Sequence, residues 1–280
     1  MKSTLYDGYE AFEVDQGSEE WHGLRRKCVT ASMFSVARQW VGGLDEKQAA
    51  YVKHIQDGRT KAEAQALAGY ASAPKAKSIE IALAGGTPGD FSDPGHAYAR
   101  RIALDIIGAE FPDQFETFAM RRGHELEPEA RAIHEMELSL ISPEITGTII
   151  KHSGFVKTLD GRYGASADGL IDDDPEGPGI AEYKAFYDTE KIWPILFEDN
   201  WSDLMDQVQG GLWITRRNWC DMCLYCPGLA AAGLSFTRKR VYRDENYIEA
   251  LESDLTRFYG LVDKYVAIAQ AKAKPAAVAT

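Results

Sequence analysis

Ser166-Ala167-Asp168-Gly169-Leu170, followed downstream by Ile180-Ala181-Glu182-Tyr183-Lys184, decides how this chain is read. Residues two apart in a strand face the same side. Glu182 and Lys184 therefore project together, and Tyr183 points away. Between the two stretches lies Asp172-Asp173-Asp174-Pro175-Glu176-Gly177-Pro178-Gly179, a turn that can fold the second strand back beside Asp168. That brings Asp168, Glu182 and Lys184 into one cluster. Two carboxylates and a lysine suit metal-dependent phosphodiester hydrolysis. Carboxylates hold Mg²⁺, which prefers oxygen ligands and keeps several waters. A bound metal acidifies water and stabilises charge on phosphate oxygens. A lysine can orient that water or stabilise transition-state charge. The competing structural reading is a solvated hairpin with a salt bridge. Ile180 and Ala181 favour a buried strand, where unpaired charge is costly.

Further strands are predicted at Thr148–His152, Gly154–Thr158, Tyr163–Asp168, Gly179–Ala185, Trp219–Tyr225 and Phe236–Tyr242. Helices are predicted over Thr117–Leu138, Leu204–Thr215 and Asn246 to about Lys272. Pro128 falls in the first of these, where it marks a first turn or a kink. Ser18 to Val41 reads as a short helix, a turn and a second helix, with Thr30 and Ser32 able to cap the latter. Leu44 to Ile107 is mostly helical in pattern, broken by Gly85-Gly86-Thr87-Pro88-Gly89-Asp90. This is an α/β chain with no internal repeat.

Composition is that of a folded chain: 280 residues, 45% hydrophobic and 26% charged. No apolar run approaches the roughly 18–20 residues needed to cross a bilayer, and the N-terminal stretch has no apolar signal core. The expected location is cytoplasmic. The net charge of −12 argues against a general polyanion binder. The distribution qualifies this. Trp21 to Trp40 holds Arg25, Arg26, Lys27 and Arg38 with no acid, and Arg238, Lys239, Arg240 and Arg243 form a second basic cluster. Basic groups that line one groove can hold DNA in an acidic protein. The alternative is that both clusters are solvated surface. Cys220 and Cys223 would face opposite sides of a strand and cannot chelate one metal there. With Cys226 and the distant Cys28 they read as packing cysteines in a reducing compartment.

Two more segments carry chemistry. In Gly123-His124-Glu125-Leu126-Glu127-Pro128-Glu129-Ala130-Arg131, residues Glu127, Ala130, Arg131 and His134 are helical neighbours. This helix can lend a third carboxylate to a metal cluster. A zinc-protease motif is excluded, because position 128 is proline rather than histidine. In Asp206-Gln207-Val208-Gln209-Gly210-Gly211-Leu212-Trp213, a glutamine can hydrogen-bond phosphate or water without adding charge.

In this order, the pieces resemble the lambda exonuclease and YqaJ-like viral recombinase family of PD-(D/E)xK nucleases. The resemblance runs from about Glu19 to Val266. It is carried by Trp21-His22-x-Leu24-Arg25 with Thr30-Ala31-Ser32, Gly123-x-x-x-Glu127-x-x-Ala130-Arg131, Ser166-x-Asp168-Gly169, Glu182-x-Lys184, Gln207-Val208-Gln209 and Trp213-x-Thr215-Arg216. Tyr225-x-Pro227 and Arg243-Asp244-Glu245 extend it. It implies a restriction-endonuclease-like core, a central mixed β-sheet flanked by helices. The core would be one nuclease domain over residues 1–270, with a helical insertion at about 41–117 and a tail at 271–280.

The resemblance also implies roles. Asp168, Glu182, Glu127 and the carbonyl of Tyr183 would hold Mg²⁺, with Mn²⁺ a possible substitute. Lys184 would be the catalytic lysine. Arg25, Ser32, Ser166 and Gln207 would receive a 5′-phosphate, and Met120 would wedge the terminal base pair. The implied activity is a 5′→3′ double-strand DNA exonuclease that leaves 3′ single-stranded tails and mononucleotides. Implied partners are a single-strand annealing protein and two further copies in a ring-shaped homotrimer. The sequence departs from the family at Leu204, where a tyrosine is expected. A PD-(D/E)xK endonuclease and a catalytically inactive DNA-binding protein are the rival readings.

Overall fold

The computed structural model describes residues 1–111, 118–141 and 149–273, the side chains of residues 118–120, 122 and 124 excepted. The chain divides into two compact units, Met1–Ser35 with Ala99–Thr280, and Val36–Tyr98. In chain order the elements are β1 (Lys2–Tyr6), β2 (Tyr9–Glu13), α1 (Glu19–Arg25), β3 (Val29–Thr30), a 3-10 turn (Ala31–Met33) and α2 (Phe34–Arg38). Next come β4 (Trp40–Val41), α3 (Glu46–Gln56), α4 (Lys61–Leu67), α5 (Lys77–Leu83), β5 (Asp90–Phe91), α6 (Asp93–Ile106) and α7 (Phe118–Ile141). The remainder is β6 (Ile150–Lys151), β7 (Phe155–Thr158), β8 (Tyr163–Ala165), β9 (Gly169–Ile171), β10 (Gly179–Ala185), α8 (Trp193–Glu198), α9 (Ser202–Thr215), β11 (Trp219–Tyr225), β12 (Phe236–Tyr242) and α10 (Glu245–Lys272).

The larger unit holds two five-stranded sheets, ordered β1-β2-β7-β8-β3 and β12-β11-β10-β9-β6. Both are mixed: β10 runs parallel to β11, β3 runs parallel to β8, and the other pairs are antiparallel. The expected strand Tyr163–Asp168 ends at Ala165. The chain then leaves one sheet and enters the other at Gly169. Side chains cause the break by competing for ladder positions. Ser166 Oγ donates to Gly154 O (2.6 Å) and accepts from Gln16 Nε2 (2.9 Å) and Trp21 Nε1 (3.1 Å). Asp168 N donates to Ala181 O (3.1 Å), and Asp168 Oδ2 accepts from Tyr183 N (2.7 Å). The carboxylate thus continues the β9–β10 pairing where the strand itself has stopped.

Every residue of β11 is buried, which is the signature of a strand covered on both faces. On one face, Ala181, Tyr183, Trp219, Cys223 and Tyr225 pack with Leu126, Ala130 and Leu138 of α7. On the other, Ile180, Cys220, Met222 and Leu224 pack with Val208 and Leu212 of α9. Cys220 and Cys223 therefore enter different cores, as strand alternation requires. Burial raises the pKa of both thiols. Helix α7 runs through Pro128 rather than starting there. Proline removes one helical hydrogen bond, but Leu126, Ala130 and Leu138 anchor the helix on both sides of it. Helix α10, capped by Asp244, buries Ile248, Leu251, Leu255, Phe258, Tyr259 and Val262.

Three features depart from the sequence reading. Residues 2–13 form a hairpin whose two-residue turn, Asp7-Gly8, has Gly8 at φ +90°. Helix α8 interrupts the segment between β10 and α9. Thr30 stands at the cap position of the 3-10 turn without capping it, and its hydroxyl meets Ser32 Oγ at 3.3 Å instead. The smaller unit, residues 36–98, overlaps the segment set apart at about 41–117 but begins earlier and ends sooner, and 112–117 lie outside the described residues, as do 274–280 of the tail. No described helix is long and apolar enough to cross a membrane.

Candidate active site

Strand alternation, the sheet-to-sheet crossover and α9 build the site. Glu182 projects from β10 on the face that packs against α9. The residue is 3% exposed, and its carboxylate accepts a 2.6 Å hydrogen bond from Gln207 Nε2 on that helix. Gly210 sets how closely α9 is held, because a Cβ there would collide with the Phe34 ring. A side chain at 210 would push away the segment that follows Ser32, or displace Gln207 from Glu182.

Electrostatics mark the cluster. Burial pushes the Glu182 carboxyl well above the usual carboxylate range. The negative charges of Asp168 and Glu127 push it further, while Lys184 and the Gln207 hydrogen bond oppose them. Asp168, Glu127, Lys184 and Gln207 are all half-buried. Among the described residues, no three of His, Cys, Asp and Glu form a tight preassembled metal cage. The donor set nevertheless fits a hard divalent cation. It offers carboxylate oxygens on β10, at the crossover and on α7, and burial and the neighbouring acids penalise the charge of Glu182. Asp168, Glu182, Glu127 and the Tyr183 carbonyl are the residues that could hold it.

The expected phosphate-binding residues form a second cluster. Arg25 Nη2 donates to Ser32 Oγ (3.3 Å), and its guanidinium lies 4.3 Å from the Trp21 ring centroid. Trp21 in turn donates to Ser166 Oγ. Arg25, Ser32 and Ser166 are thereby joined through Trp21. Gln207 is placed at Glu182. The side chain of Met120 lies outside the described residues. Leu204, at the position expected to be tyrosine, packs into the α9-side core.

Two features were missed in the sequence. Arg131 stands in the sequence as a helical neighbour of Glu127 and as part of the family motif, with no role assigned to it. Its guanidinium donates to Asp168 O (3.2 Å) and Ile150 O (2.5 Å), pinning the crossover that carries Asp168. The other is a buried network behind the site. Asp221 on β11 accepts from Arg240 at 2.9 and 3.0 Å and from Arg238 at 3.1 Å. It also faces His134 Nε2 at 3.3 Å, and His134 Nδ1 lies 3.1 Å from the Tyr183 hydroxyl. A carboxylate only accepts, so Nε2 is the donor toward Asp221. Burial pushes the Asp221 carboxyl up, but the His134 and Arg240 hydrogen bonds and the two arginine charges hold it well below the ordinary range. The basic cluster of β12 is therefore no open DNA groove. Arg240 also pairs with Asp174 and Glu176, Lys239 with Asp199, and Arg243 with Glu245.

The fold resembles that of several solved structures. An alkaline exonuclease from Laribacter hongkongensis, LHK-Exo, superposes with a TM-score of 0.60 at 22% identity, over 91% of this chain and 97% of that one. Its complex with dAMP gives 0.60 at 23%, over the same shares. A phage-related exonuclease from Haemophilus somnus 129PT gives 0.51 at 13%, over 88% and 97%. No curated protein matches the sequence. Residues 20–218 match the model of the YqaJ-like viral recombinase domain, and this span takes in Arg25, Ser32, Glu127, Asp168, Glu182, Lys184 and Gln207. The chain belongs to the YqaJ-like viral recombinase family.

Proposed function

We propose that this chain is a Mg²⁺-dependent 5′→3′ exonuclease of double-stranded DNA. It would release mononucleotides and leave 3′ single-stranded tails for annealing-based recombination. The carrying observation is the buried Glu182 carboxylate, raised by Asp168 and Glu127 and set beside Lys184. A buried carboxylate so surrounded is stabilised by a cation. Family membership and the exonuclease fold support DNA as the substrate. LHK-Exo is in complex with dAMP, a deoxynucleoside monophosphate of the kind proposed here as product.

Each residue has a task in this reading. Asp168, Glu182, Glu127 and the Tyr183 carbonyl hold Mg²⁺, or Mn²⁺ in its place. When bound, the ion supplies Lewis acidity and lowers the pKa of water. Lys184, on the same strand face as Glu182, orients the attacking water and stabilises charge on the scissile phosphate. Gln207 fixes the Glu182 carboxylate through its amide. Arg25, Ser32 and Ser166 seat the 5′-phosphate, and Met120 separates the end base pair. A terminal phosphate monoester carries close to two charges at neutral pH, more than an internal diester. A guanidinium and a hydroxyl reward that difference.

Digestion of linear against covalently closed duplex, with 5′-phosphate or 5′-hydroxyl ends and across a Mg²⁺ titration, tests the reading. Mg²⁺-dependent loss of linear DNA from phosphorylated ends is expected. Cutting of closed circles would establish the endonuclease rival, and no cutting would establish the inactive one. The reading extends to a homotrimer, a single-strand annealing partner and a cytoplasmic setting. Light scattering at micromolar concentration checks the first, with about three times the 31.0 kDa chain mass expected.

A further inference from the structure

Of the motifs Gln207-Val208-Gln209 and Arg243-Asp244-Glu245, the proposed function uses Gln207 and leaves the rest without a task. Gln209 stands two residues beyond Gln207 on α9. Two residues on a helix are about 200° apart. While Gln207 reaches Glu182, the side chain of Gln209 therefore points the other way. Gln209 is 3% exposed, and its amide makes two hydrogen bonds. Nε2 donates to Tyr242 O (2.9 Å), and Oε1 accepts from Asp244 N (3.0 Å). These two backbone groups flank Arg243 at the end of β12. The N–H of Arg243 itself is turned toward β11, where it donates to Asn218 O (2.9 Å). Its neighbours Tyr242 O and Asp244 N thus face the opposite edge, and the Gln209 amide takes the place of a strand there. A primary amide carries a donor and an acceptor side by side, which is what this pair of groups needs.

The same short segment, Tyr242–Tyr247, grips α9 at two more points. Asp206 lies three residues before Gln209 and so on the same side of the helix. It is buried, and its Oδ1 accepts from the Tyr247 hydroxyl (2.6 Å). Arg243 Nη1 donates to Leu212 O (2.6 Å). The segment is anchored at both of its ends. Before it, β12 pairs with β11 through Tyr242 and Trp219. After it, Asp244 Oδ1 caps α10 by accepting from Asn246 N (3.0 Å) and Tyr247 N (3.1 Å), and α10 buries Ile248, Leu251 and Leu255. Helix α9 is therefore held from two sides, by Glu182 through Gln207 and by this clamp through Gln209 and Asp206. Such a grip fixes the rotation of the helix about its axis. A side-chain amide lies about 5–6 Å from that axis, so a rotation of about 10° moves it by about 1 Å. A displacement of about 1 Å at a reacting centre can cost about 10²-fold in rate.

We propose that Gln209 is a positioning residue of the active site. It sets the rotation of α9 against the backbone of Tyr242 and Asp244, and so holds the Gln207 amide on the Glu182 carboxylate. Asp206 and Tyr247 form the second tie of the same clamp. Gln209 acts through Gln207, because its own amide is turned away from Glu182 and occupied by backbone. Its effect on cleavage rests on the nuclease reading, and its effect on the placement of Gln207 does not.

The test compares the full-length parent with Gln209→Met, Gln207→Ala and the double variant. Methionine is unbranched and flexible enough to fill the space of glutamine, and it removes both hydrogen bonds. Mononucleotide release is measured on 5′-phosphorylated linear duplex at saturating Mg²⁺. Gln209→Met should lower kcat by about ten- to a hundredfold and leave KM for the duplex within about twofold. In the Gln207→Ala background the same change should cost less than about threefold, because the amide it positions is gone. An equal factor in the two backgrounds, or a parental rate in Gln209→Met, would overturn the proposal and leave Gln209 a residue of the fold alone. A second readout needs no cleavage. In chains labelled with ¹⁵N-glutamine, the Gln207 side-chain amide signal is identified by its loss in Gln207→Ala. In Gln209→Met it should shift toward the position of a solvent-exposed amide. An unmoved signal would overturn the positioning whatever the chain does to DNA. A parent that digests nothing, with the shift present, would refute the nuclease reading and leave the clamp standing. Should Gln209→Met not fold, Tyr247→Phe keeps the ring, removes the second tie and carries the test. The same signal should then move the same way, and a signal unmoved there would overturn the clamp.

Discussion

Glu182 and Asp221 are buried carboxylates on neighbouring parallel strands, one register position apart, since Asp221 aligns with Ala181 and Glu182 with Met222. Their environments are opposite. Asp221 faces α7, where Arg238, Arg240 and His134 surround it, and it is held strongly acidic. Glu182 faces α9 with two more carboxylates near it, and it is pushed toward protonation. Equal burial therefore has two outcomes. The carboxylate that holds the sheet together brings its own cations. The one proposed to do chemistry has two further carboxylates beside it and a single lysine to oppose them, surroundings that suit an external cation. Tyr183 links the two, because its hydroxyl meets His134 while its backbone N–H holds Asp168.

The largest expected effect breaks the functional side alone. Lys184→Ala removes the cation that opposes the raised Glu182 carboxyl and, in the proposed mechanism, the group that stabilises the developing charge. Cleavage of linear duplex with Mg²⁺ should fall by at least about 10²–10³-fold, while binding measured in chelator stays within a few-fold of the parent. Near-normal cleavage would sink the catalytic assignment of Lys184.

The structural side is broken by Asp221→Asn. Removing one partner of a buried ion network costs about 3–5 kcal/mol, because the remaining charges lose their compensation. Denaturant unfolding should show that loss. The sign with pH follows from the depressed carboxyl. Its stabilisation is fully present above the unfolded value near 3.9 and fades as pH falls through that value toward the folded one. The parent should lose stability across that acid range more steeply than Asp221→Asn does. Parallel curves for the two proteins would remove Asp221 from the account of acid stability.

How legible this contrast was in sequence depends on range. Glu182 and Lys184 were readable because period-two alternation is local, and Asp168 because a proline- and glycine-rich turn returned β10 to it. The Asp221 network was not readable: its members lie on α7, β10, β11 and β12, and no short-range pattern records that β12 lies beside β11. The same blindness left Arg238–Arg243 open to reading as one side of a DNA groove, although Arg238, Lys239 and Arg240 take carboxylates from distant positions and Arg243 pairs with the nearby Glu245. The role of Arg131, a helical neighbour and motif residue in sequence, was not readable, since its acceptors are carbonyls of residues 150 and 168. The β1–β2 hairpin did have a local signal, Asp7-Gly8 between two tyrosine-flanked runs, and it went unread. The long buried strand β11, the α9 helix and the amphipathic face of α10 were legible because their periodicity is strong.

A cation with a different task sharpens the comparison. Arg25 donates to a hydroxyl and lies beside a tryptophan ring, within reach of Ser32 and near Ser166. Charge-assisted hydrogen bonds are worth about 1.5–3 kcal/mol each. Arg25→Ala should therefore slow digestion of 5′-phosphorylated ends by about ten- to a hundredfold, slow 5′-hydroxyl ends much less, and shorten processive runs. Equal rates on the two kinds of end in the unmodified protein would remove the phosphate pocket and the 5′→3′ assignment with it.

The smallest effect is the most direct test of the contrast, because it reads binding without catalysis. If Glu182 sits in unrelieved negative surroundings, a divalent cation that binds the folded chain there should stabilise it. Ligand at about 100 times its dissociation constant adds about 2.7 kcal/mol, a rise of a few degrees in melting temperature for a unit of this size. Mg²⁺ should raise the melting temperature of the parent by that order, and Mn²⁺ likewise. Glu182→Gln keeps the shape and an acceptor for the Gln207 amide but removes the charge. It should melt higher than the parent in EDTA, since the repulsion with Asp168 and Glu127 is gone, and it should lose most of the Mg²⁺ response. Asp221→Asn has no reason to lose that response, because its carboxylate is already neutralised by arginine. A Mg²⁺-induced shift of equal size in the parent and in Glu182→Gln would place the ion elsewhere, and would leave the buried Glu182 carboxyl without a cation to relieve its raised pKa.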